Sequence, residues 1–232
     1  MKKGSIWIFT GLLLIAAALC LTGYNFIESA NADAASEEIL SALLPQIPDD
    51  AAPAAGRPVN VITAPDAEYA DMEYPDYVLN PEMEMPEAVV DGYACIGVLR
   101  IPALDRELPV FSQWDYARLK AAPCRYTGSV YLDNMTVCAH NFNRHFGRLH
   151  DLSLGDTVTF TDMDGNLFIY RVGEVEILQP TAIEEMTDSD WDLTLFTCTV
   201  GGRTRVTVRC SRVRDVEAFA AGDAPGASRN TA

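Results

Sequence analysis

Apolar and polar residues alternate along short stretches of the second half of the chain, with turn residues between them. This alternation is typical of β-strands, whose successive side chains point to opposite faces. Asp164-Gly165 between two such stretches is a strong hairpin signal. The predicted strands cover residues 94–101, 108–111, 129–132, 136–139, 157–161, 167–172, 174–178, 193–198 and 205–210. Many short strands with turn signals predict an all-β fold that closes, or nearly closes, into a barrel.

The beginning of the chain has a different pattern. The 22 residues of Ile6–Ile27 include no charged side chain, and about 20 apolar residues are enough to cross a ~30 Å hydrocarbon core. Lys2 and Lys3 precede this run, which predicts a cytoplasmic N-terminus. Residues 1–27 are therefore predicted to be a single-pass membrane anchor, with the rest of the chain outside the cell membrane. A cleaved signal peptide is the alternative, since residues 30–32 read small-x-small.

Residues 28–90 are predicted to be an acidic, proline-rich linker. They carry 14 Asp and Glu residues and a single basic one. The few apolar residues bury too little surface to offset the entropy lost on ordering, and the like charges repel one another. Within this stretch, residues 37–44 could form one short amphipathic helix, and Tyr69, Tyr74 and Tyr77 could instead dock onto the following domain.

The remaining chain divides into a domain at residues 91–214 and a small, polar tail at 215–232. The formal net charge of −16 argues against a nucleic-acid partner, because phosphate binding needs clustered cations. There is no CxxC or Cys/His spacing typical of a zinc site. Asp162 and Asp164 resemble a calcium loop, but a hairpin turn accounts for them, so we predict no metal and no cofactor.

The candidate chemistry lies at strand ends. Cys198 ends the apolar strand at 193–198 and precedes a Gly201-Gly202 turn, which leaves its thiol open to attack a substrate. Arg205 opens the return strand, and a thiol needs a cation nearby to become a good nucleophile. His140 ends another apolar strand far upstream. These are the parts that a thiol acyl-transfer enzyme needs.

Other interpretations exist for several of these residues. A buried structural cysteine is the alternative for Cys198. Arg203 shares the parity of the candidate arginine, but we place it in the turn. Cys138 lies on the same side of its strand as the candidate histidine and is predicted to pack; His145 and His150 lie in a polar context. Five cysteines remain outside the membrane, and an odd number leaves at least one free thiol. Spacing leaves open the pairing of Cys95, Cys124, Cys138 and Cys210.

Three blocks resemble the sortases, the cysteine transpeptidases of the Gram-positive cell surface. Thr194-Leu195-Phe196-Thr197-Cys198 resembles the TLxTC signature of that family. Arg205-Val206-Thr207-Val208 resembles its last strand, which opens with an arginine, and His140-Asn141 resembles its histidine block. The similarity covers roughly residues 92–214. It implies an eight-stranded β-barrel with short helices.

The resemblance also implies roles and partners. Cys198 would be the nucleophile, His140 the acid–base partner and Arg205 the group that holds the substrate carbonyl, with Thr197 in substrate binding. The substrates would be exported proteins with a C-terminal sorting signal of LPxTG type. The acceptor would be an amine of a cell-wall peptide precursor or a pilin lysine. Residues 180–192 are short where class B sortases carry a long helical insertion, so the subclass and the sorting motif stay open.

Two other functions remain possible at this point. One is another extracytoplasmic cysteine enzyme, such as an L,D-transpeptidase or a cell-wall endopeptidase. Papain-like endopeptidases place cysteine before histidine, whereas here His140 precedes Cys198. The other is a non-enzymatic binding barrel on a stalk, which a thiol-reactive probe would distinguish from an enzyme.

Overall fold

The computed structural model describes residues 3–48, 75–187 and 190–214. Within these ranges the chain forms nine β-strands and three α-helices. The strands are β1 (Ala88–Val90), β2 (Tyr93–Ile101), β3 (Arg106–Phe111), β4 (Cys124–Thr127), β5 (Met135–Cys138), β6 (Thr157–Asp162), β7 (Leu167–Leu178), β8 (Leu193–Cys198) and β9 (Arg205–Arg212). The helices are α1 (Lys3–Leu43), α2 (Asp76–Leu79) and α3 (Ile183–Thr187), with 3-10 turns at Leu44–Gln46, Pro102–Leu104, Arg118–Lys120 and Leu149–Asp151.

Eight of the described strands close into a barrel. Their order is β2-β3-β4-β5-β8-β9-β7-β6, and β6 pairs back onto β2. Strand β1 adds to the wall beside the first residues of β2. Neighbouring strands are antiparallel except for β3 with β4 and β5 with β8, which are parallel. The predicted eight-stranded barrel is confirmed, and closure leaves few strand edges exposed.

The β6–β7 hairpin lies where the sequence predicts it. Gly165 has a φ of 86°, a left-handed conformation that glycine adopts without steric cost. The buried carboxylate of Asp162 accepts hydrogen bonds from the backbone N–H groups of Asp164 (3.0 Å) and Asn166 (2.8 Å). It also accepts one from the hydroxyl of Tyr131 (2.8 Å). The hairpin therefore uses this carboxylate for its own structure.

One predicted strand is wrong. Residues 129–132 form turns, and the strand that precedes β5 is β4 instead. The side-chain oxygen of Asn134 accepts a hydrogen bond from the Ser129 N–H (3.0 Å), and the Ser129 hydroxyl accepts one from the Tyr131 N–H (3.1 Å). Side chains that bond the nearby backbone compete with strand pairing, so this segment turns although it contains apolar residues.

The barrel wall has two apolar faces. On β8, Leu193 and Leu195 belong to the cluster that fills the barrel interior, whereas Phe196 belongs to a second cluster outside the wall. This follows from the alternation of side chains along a strand. Cys198 lies two residues beyond Phe196 and therefore points to the outer face.

Helix α1 runs without interruption from an exposed apolar part to a part packed on the barrel. Its first part carries exposed apolar side chains, and it is the helix of the described residues that is long and apolar enough to cross a membrane. In its second part Ala32, Ser36, Ile39 and Leu43 are buried. Spacings of four, three and four residues place them on one helix face. Ile39 and Leu43 join the outer apolar cluster of the wall.

The structure differs here from the predicted linker. Residues 28–43 continue α1, and the amphipathic helix predicted at 37–44 is the end of that helix. A stripe of small and aliphatic residues along this part of the helix packs on the barrel. In the sequence these residues are interspersed with acidic ones, so the composition alone did not indicate a packed face. The acidic side chains pair with Lys120 and Arg144 of the barrel, which reduces the expected repulsion.

The structure describes residues 44–48 and 75–90 of the remaining predicted linker and none of the predicted tail. Residues 49–74, with Tyr69 and Tyr74, and residues 215–232 lie outside the described residues. Tyr77 does dock onto the domain, since its ring stacks on a tyrosine of the core with centroids 4.6 Å apart. The ordered domain therefore begins before residue 91, with α2 and β1.

Candidate active site

The parallel pair β5 and β8 brings His140 and Cys198 to the same end of the wall. The last residues in register are Cys138 and Phe196. The pairing continues one step further, because the Ala139 N–H donates to the Phe196 carbonyl at 3.3 Å. His140 and Cys198 each lie two residues beyond the registered pair, so they leave the wall side by side and on the same face.

Thr197 connects the two strands directly before these residues. Its hydroxyl donates a 2.8 Å hydrogen bond to the carbonyl of Ala139. The side chain is only 2% exposed, so it lies within the wall and not on the surface that a substrate would meet. This burial differs from what the substrate-binding role predicted for Thr197 requires.

Arg205 lies on the other side of Cys198. The two residues are directly opposite each other in the antiparallel pair of β8 and β9, and such neighbours have Cβ atoms about 4.5–5.5 Å apart. A turn with left-handed glycines, Gly201 (φ 85°) and Gly202 (φ 71°), joins the strands. The Nη1 atom of Arg205 donates to the carbonyls of Gly202 (3.2 Å) and Thr204 (3.1 Å). Strand β8 thus holds the thiol between a histidine and an arginine.

The other two arginines of the same parity have different environments. Arg203 is exposed in the turn. Arg209 is 3% exposed, and its Nε atom pairs with an oxygen of Glu176 at 2.8 Å. Its Nη1 atom donates to the hydroxyl of Thr194 (3.1 Å). Arg209 therefore stabilises the outer wall, and Arg205 is the arginine beside the thiol.

The exposure of the cysteines separates Cys198 from the others. All six cysteines lie in the described residues and are free thiols. The buried ones beyond α1 are Cys95, Cys124, Cys138 and Cys210. Burial raises the pKa of Cys95, Cys138 and Cys210 to about 12, which keeps these thiols protonated. Among the five cysteines beyond α1, Cys198 alone is partly exposed, as a nucleophile must be.

His140 is half-buried, and its ring centroid lies 5.0 Å from that of Phe142. Burial lowers the pKa of His140 below its ordinary value; the Glu28 carboxylate opposes this effect and the Lys120 ammonium adds to it. Glu28 and Lys120 form an ion pair with a 2.9 Å N–O distance. The sequence analysis missed both residues, since no motif links a residue of the anchor to the histidine.

The other two histidines are unsuited to the same role. His145 is 1% exposed, and burial lowers its pKa to about 4. His150 is exposed and lies 3.2 Å from a carboxylate oxygen of Asp151. The structure thus brings His140, and neither of its neighbours, to the strand end beside Cys198.

An aromatic row on the outer wall leads toward the site. Phe196 makes an edge contact with Tyr126 (ring centroids 5.4 Å apart), and Tyr126 stacks on Trp114 (5.3 Å). A groove of about 380 Å³ is lined by Trp114, Tyr126 and Arg125. Phe196 is buried in the outer apolar cluster, so the accessible part of this row consists of Tyr126 and Trp114.

The described residues include no group of three or more His, Cys, Asp or Glu side chains that could hold a metal ion. The carboxylate of Asp162, which a calcium loop would need, is engaged by the donors of its own hairpin. Cys198, His140 and Arg205 are the candidate reactive groups that the strand pairing places together.

A comparison with protein families identifies this domain. Residues 99–213 match the family model described as the sortase domain. That range contains the site residues and β3 to β9, as well as the end of β2. No curated protein matches the chain.

Several solved structures are similar to the barrel. "Sortase C1 of GBS Pilus Island 1" is 21% identical, with a TM-score of 0.46, and the match covers 51% of this chain and 64% of that one. Sortase C1 from Streptococcus agalactiae is 24% identical, with a TM-score of 0.47 and coverage of 54% and 70%. Sortase C from Clostridium perfringens SM101 is 23% identical, with a TM-score of 0.45 and coverage of 61% and 76%. The chain spans just under two thirds of the first of these structures.

Proposed function

The chain carries a domain of the sortase family over residues 99–213, and on this premise we propose that the protein is a membrane-anchored cysteine transpeptidase. The observation that supports this best is the place of Cys198. It is a partly exposed thiol at the end of β8, with His140 at the end of one neighbouring strand and Arg205 at the start of the other.

The proposed reaction starts with acylation of the enzyme. The Cys198 sulfur attacks the scissile carbonyl while its proton passes to His140, and a carbon–sulfur bond forms. Arg205 stabilises the negative charge that develops on the carbonyl oxygen. His140 then gives the proton to the leaving nitrogen, the carbon–nitrogen bond breaks, and a thioester on Cys198 remains.

An incoming amine completes the transfer. It attacks the thioester and loses a proton to His140, and the Cys198 thiolate leaves as the new amide forms. We propose that the acyl donor is an exported protein with an LPxTG-like sorting signal. The acceptor is an amine of a cell-wall peptide precursor or of a pilin lysine. The accessible rings of Tyr126 and Trp114, which stack on each other, supply apolar contacts for the residues before the scissile bond.

The proposed location follows from α1. Its apolar part spans the cell membrane, Lys2 and Lys3 stay in the cytoplasm, and the barrel lies outside. Protease added to intact protoplasts should digest or release the barrel. A barrel that stays protected under these conditions would reverse the proposed orientation.

The activity is tested with the full-length protein in detergent. An LPxTG-containing peptide is mixed with either triglycine or a lysine-containing pilin peptide, and products are identified by mass spectrometry. Cleavage followed by formation of a new amide bond supports a transpeptidase. Hydrolysis without transfer, even at high amine concentration, indicates another cysteine peptidase. An absence of both reactions and of labelling of Cys198 by a thiol probe indicates a binding barrel.

A further inference from the structure

One uninterrupted helix joins the apolar N-terminal run to the part of α1 that packs on the barrel. The uncharged run Ile6–Ile27 has 22 residues, and at ~1.5 Å per residue it measures about 33 Å, close to the ~30 Å thickness of a hydrocarbon core. Glu28 is the first charged residue after this run, so with the run inside the bilayer it would lie at the membrane surface. Helix α1 then continues to Leu43 without a break. The chain thus leaves the membrane as a helix and not as a flexible tether.

The second part of α1 is fixed to the barrel by packing and by charge. Ile39 and Leu43 are 3% and 0% exposed against the outer wall. Arg144 of the barrel lies 3.9 Å from the Asp33 carboxylate and hydrogen-bonds the Glu37 carboxylate. Lys120 pairs with Glu28, one residue beyond the apolar run. These contacts extend from Glu28 to Leu43, so with the apolar run inside the bilayer they would hold the barrel at one height above it.

The candidate active site lies on the side of the barrel that packs on α1. The segment that begins at His140 carries Arg144, which contacts Asp33 and Glu37 of the helix, and it folds back on itself, since the Phe146 N–H donates to the His140 carbonyl at 3.3 Å. From Glu28 to Asp33 the helix rises by about 7.5 Å. A groove of about 400 Å³ between the helix and the barrel is lined by Tyr24 and Glu28 on one side and Lys120 on the other. Tyr24 is exposed near the end of the apolar run, and tyrosine is a residue type enriched at membrane interfaces.

We propose that α1 is a ruler that holds the active site at the surface of the bilayer. It restricts cleavage to bonds a short distance from a membrane-inserted segment of the substrate. The partner of this face is therefore the bilayer surface with a polypeptide that emerges from it. The inference rests on the proposed transpeptidase function, but it concerns where the bond is cut and not how.

The test changes the height of the barrel and measures which substrates it reaches. Seven residues of a helix-forming sequence are inserted after Ile27; this adds about 10.5 Å and turns the helix by only about 20° from its original face. The full-length protein is placed in phosphatidylcholine–phosphatidylglycerol vesicles. The substrates have one transmembrane segment and spacers of 0 to about 15 residues between it and the LPxTG-like sequence.

The expected result is a shift of the shortest spacer that is cleaved. An extended chain covers about 3.3–3.6 Å per residue, so the insertion should lengthen that spacer by about three residues. Substrates below the new limit should lose cleavage, because a spacer that cannot span the distance gives an effective concentration near zero. The control carries the same insertion between residues 60 and 61. The shortest spacer that it cleaves should be the same as for the wild-type protein.

Cleavage of a soluble peptide in detergent separates the two hypotheses. If the wild-type protein does not cleave it, the proposed function fails and the ruler fails with it. If it does, an unchanged spacer limit in the insertion variant overturns the ruler alone. If the insertion variant does not cleave the soluble peptide, the test uses the wild-type protein alone, with its cleavage rate measured as a function of spacer length. A sharp lower limit on spacer length supports the ruler, and a rate independent of spacer length overturns it.

Discussion

The hydroxyl of Thr197 donates a 2.8 Å hydrogen bond to the carbonyl of Ala139. This bond joins the residue before the candidate nucleophile to the residue before the candidate base. It is buried, because Thr197 and Ala139 are 2% and 6% exposed. The distance between the thiol of Cys198 and the ring of His140 therefore depends on a contact that neither of them makes.

We expect Thr197→Val to impair both stability and turnover. Valine has the same shape but lacks the donor, so the Ala139 carbonyl loses its side-chain partner, at a cost of about 1–3 kcal/mol. Loss of the cross-strand bond should lower kcat more than it raises KM, because chemistry and not binding depends on the spacing. Urea unfolding and steady-state kinetics with the sorting peptide measure the two effects.

Thr197→Ser is the matched control, since serine keeps the donor. It should recover most of the turnover lost in Thr197→Val. If both variants lose the same fraction of kcat, the hydrogen bond does not position the catalytic pair.

The thiols give a second prediction. A maleimide probe should label Cys198 rapidly in the folded protein, because it is the partly exposed thiol beyond α1, whereas Cys138 is buried and its pKa is raised to about 12 by burial. Cys198→Ala should remove both the labelling and the turnover and keep the fold. Cys138→Ala should keep both. Rapid labelling of any cysteine beyond α1 that survives Cys198→Ala would contradict this assignment; Cys20, which is exposed on α1, is excluded from this comparison.

The barrel and the nucleophile block could be predicted from the sequence because they depend on local signals. Strand alternation, the Asp164-Gly165 turn and the block that ends at Cys198 are each contained in a few consecutive residues. The turn at 129–132 could not be predicted in this way, because side-chain hydrogen bonds to the backbone stabilise a turn where the apolar pattern predicts a strand.

The relationships between distant residues could not be predicted either. Glu28 and Lys120 are 92 residues apart in the sequence and meet only because α1 packs on the barrel. Thr197 and Ala139 are 58 residues apart and meet because β5 and β8 are parallel neighbours. Acidic composition suggested a linker at residues 28–43, whereas the buried stripe of that segment is made of small and aliphatic residues.

The electrostatic surroundings of His140 give a third prediction. Burial keeps its pKa below the ordinary value near 6.5, so the ring is neutral at neutral pH and becomes protonated only as the pH falls. The acid limb of kcat/KM should therefore lie below pH 6.5. Glu28→Gln removes a charge that raises this pKa and should shift the limb to lower pH. Lys120→Gln removes a charge that lowers it and should shift the limb to higher pH.

Arg118→Gln is the control for these variants. Arg118 is a neighbouring surface cation that pairs with Asp115, and it is not among the groups that act on His140. Its loss should leave the acid limb in place. Shifts of the same sign for Glu28→Gln and Lys120→Gln would contradict the assignment of the limb to His140.

A fourth prediction concerns stability in acid. Burial lowers the pKa of His145 from 6.5 to about 4, so the unfolded chain binds a proton between these values that the folded chain does not. The free energy of unfolding should fall as the pH drops from 6.5 to about 4, by roughly 3 kcal/mol from this group. In His145→Gln this part of the pH dependence should be absent, whereas His150→Gln, at an exposed site, should keep it. Urea unfolding at several pH values measures the slope.

The last prediction separates the arginines. Arg205 is opposite Cys198 across the strand pair, and loss of one donor to a developing oxyanion costs ~2.7–4 kcal/mol, or about 10²–10³ in rate. Arg205→Ala should lower kcat/KM by that order with little loss of stability, because Arg205 is half-exposed and bonds only to its own turn in the contacts described. Arg205→Lys should recover part of the rate, since an ammonium keeps the charge but not the planar fork. Arg203→Ala, in the exposed turn, should change kcat/KM much less.

Arg209→Ala should have the opposite effect: it should lower stability and keep turnover. Arg209 is buried and pairs with Glu176, and removal of one partner of a buried ion pair costs about 3–5 kcal/mol of stability. Its turnover per folded molecule should stay close to that of the wild-type protein, because Arg209 lies opposite Thr194, four residues before the thiol along β8. Parallel measurements of kcat/KM and of unfolding in urea for the three alanine variants test the assignment. If Arg209→Ala lowers turnover of the folded protein as much as Arg205→Ala does, then proximity to Cys198 does not determine which arginine stabilises the oxyanion.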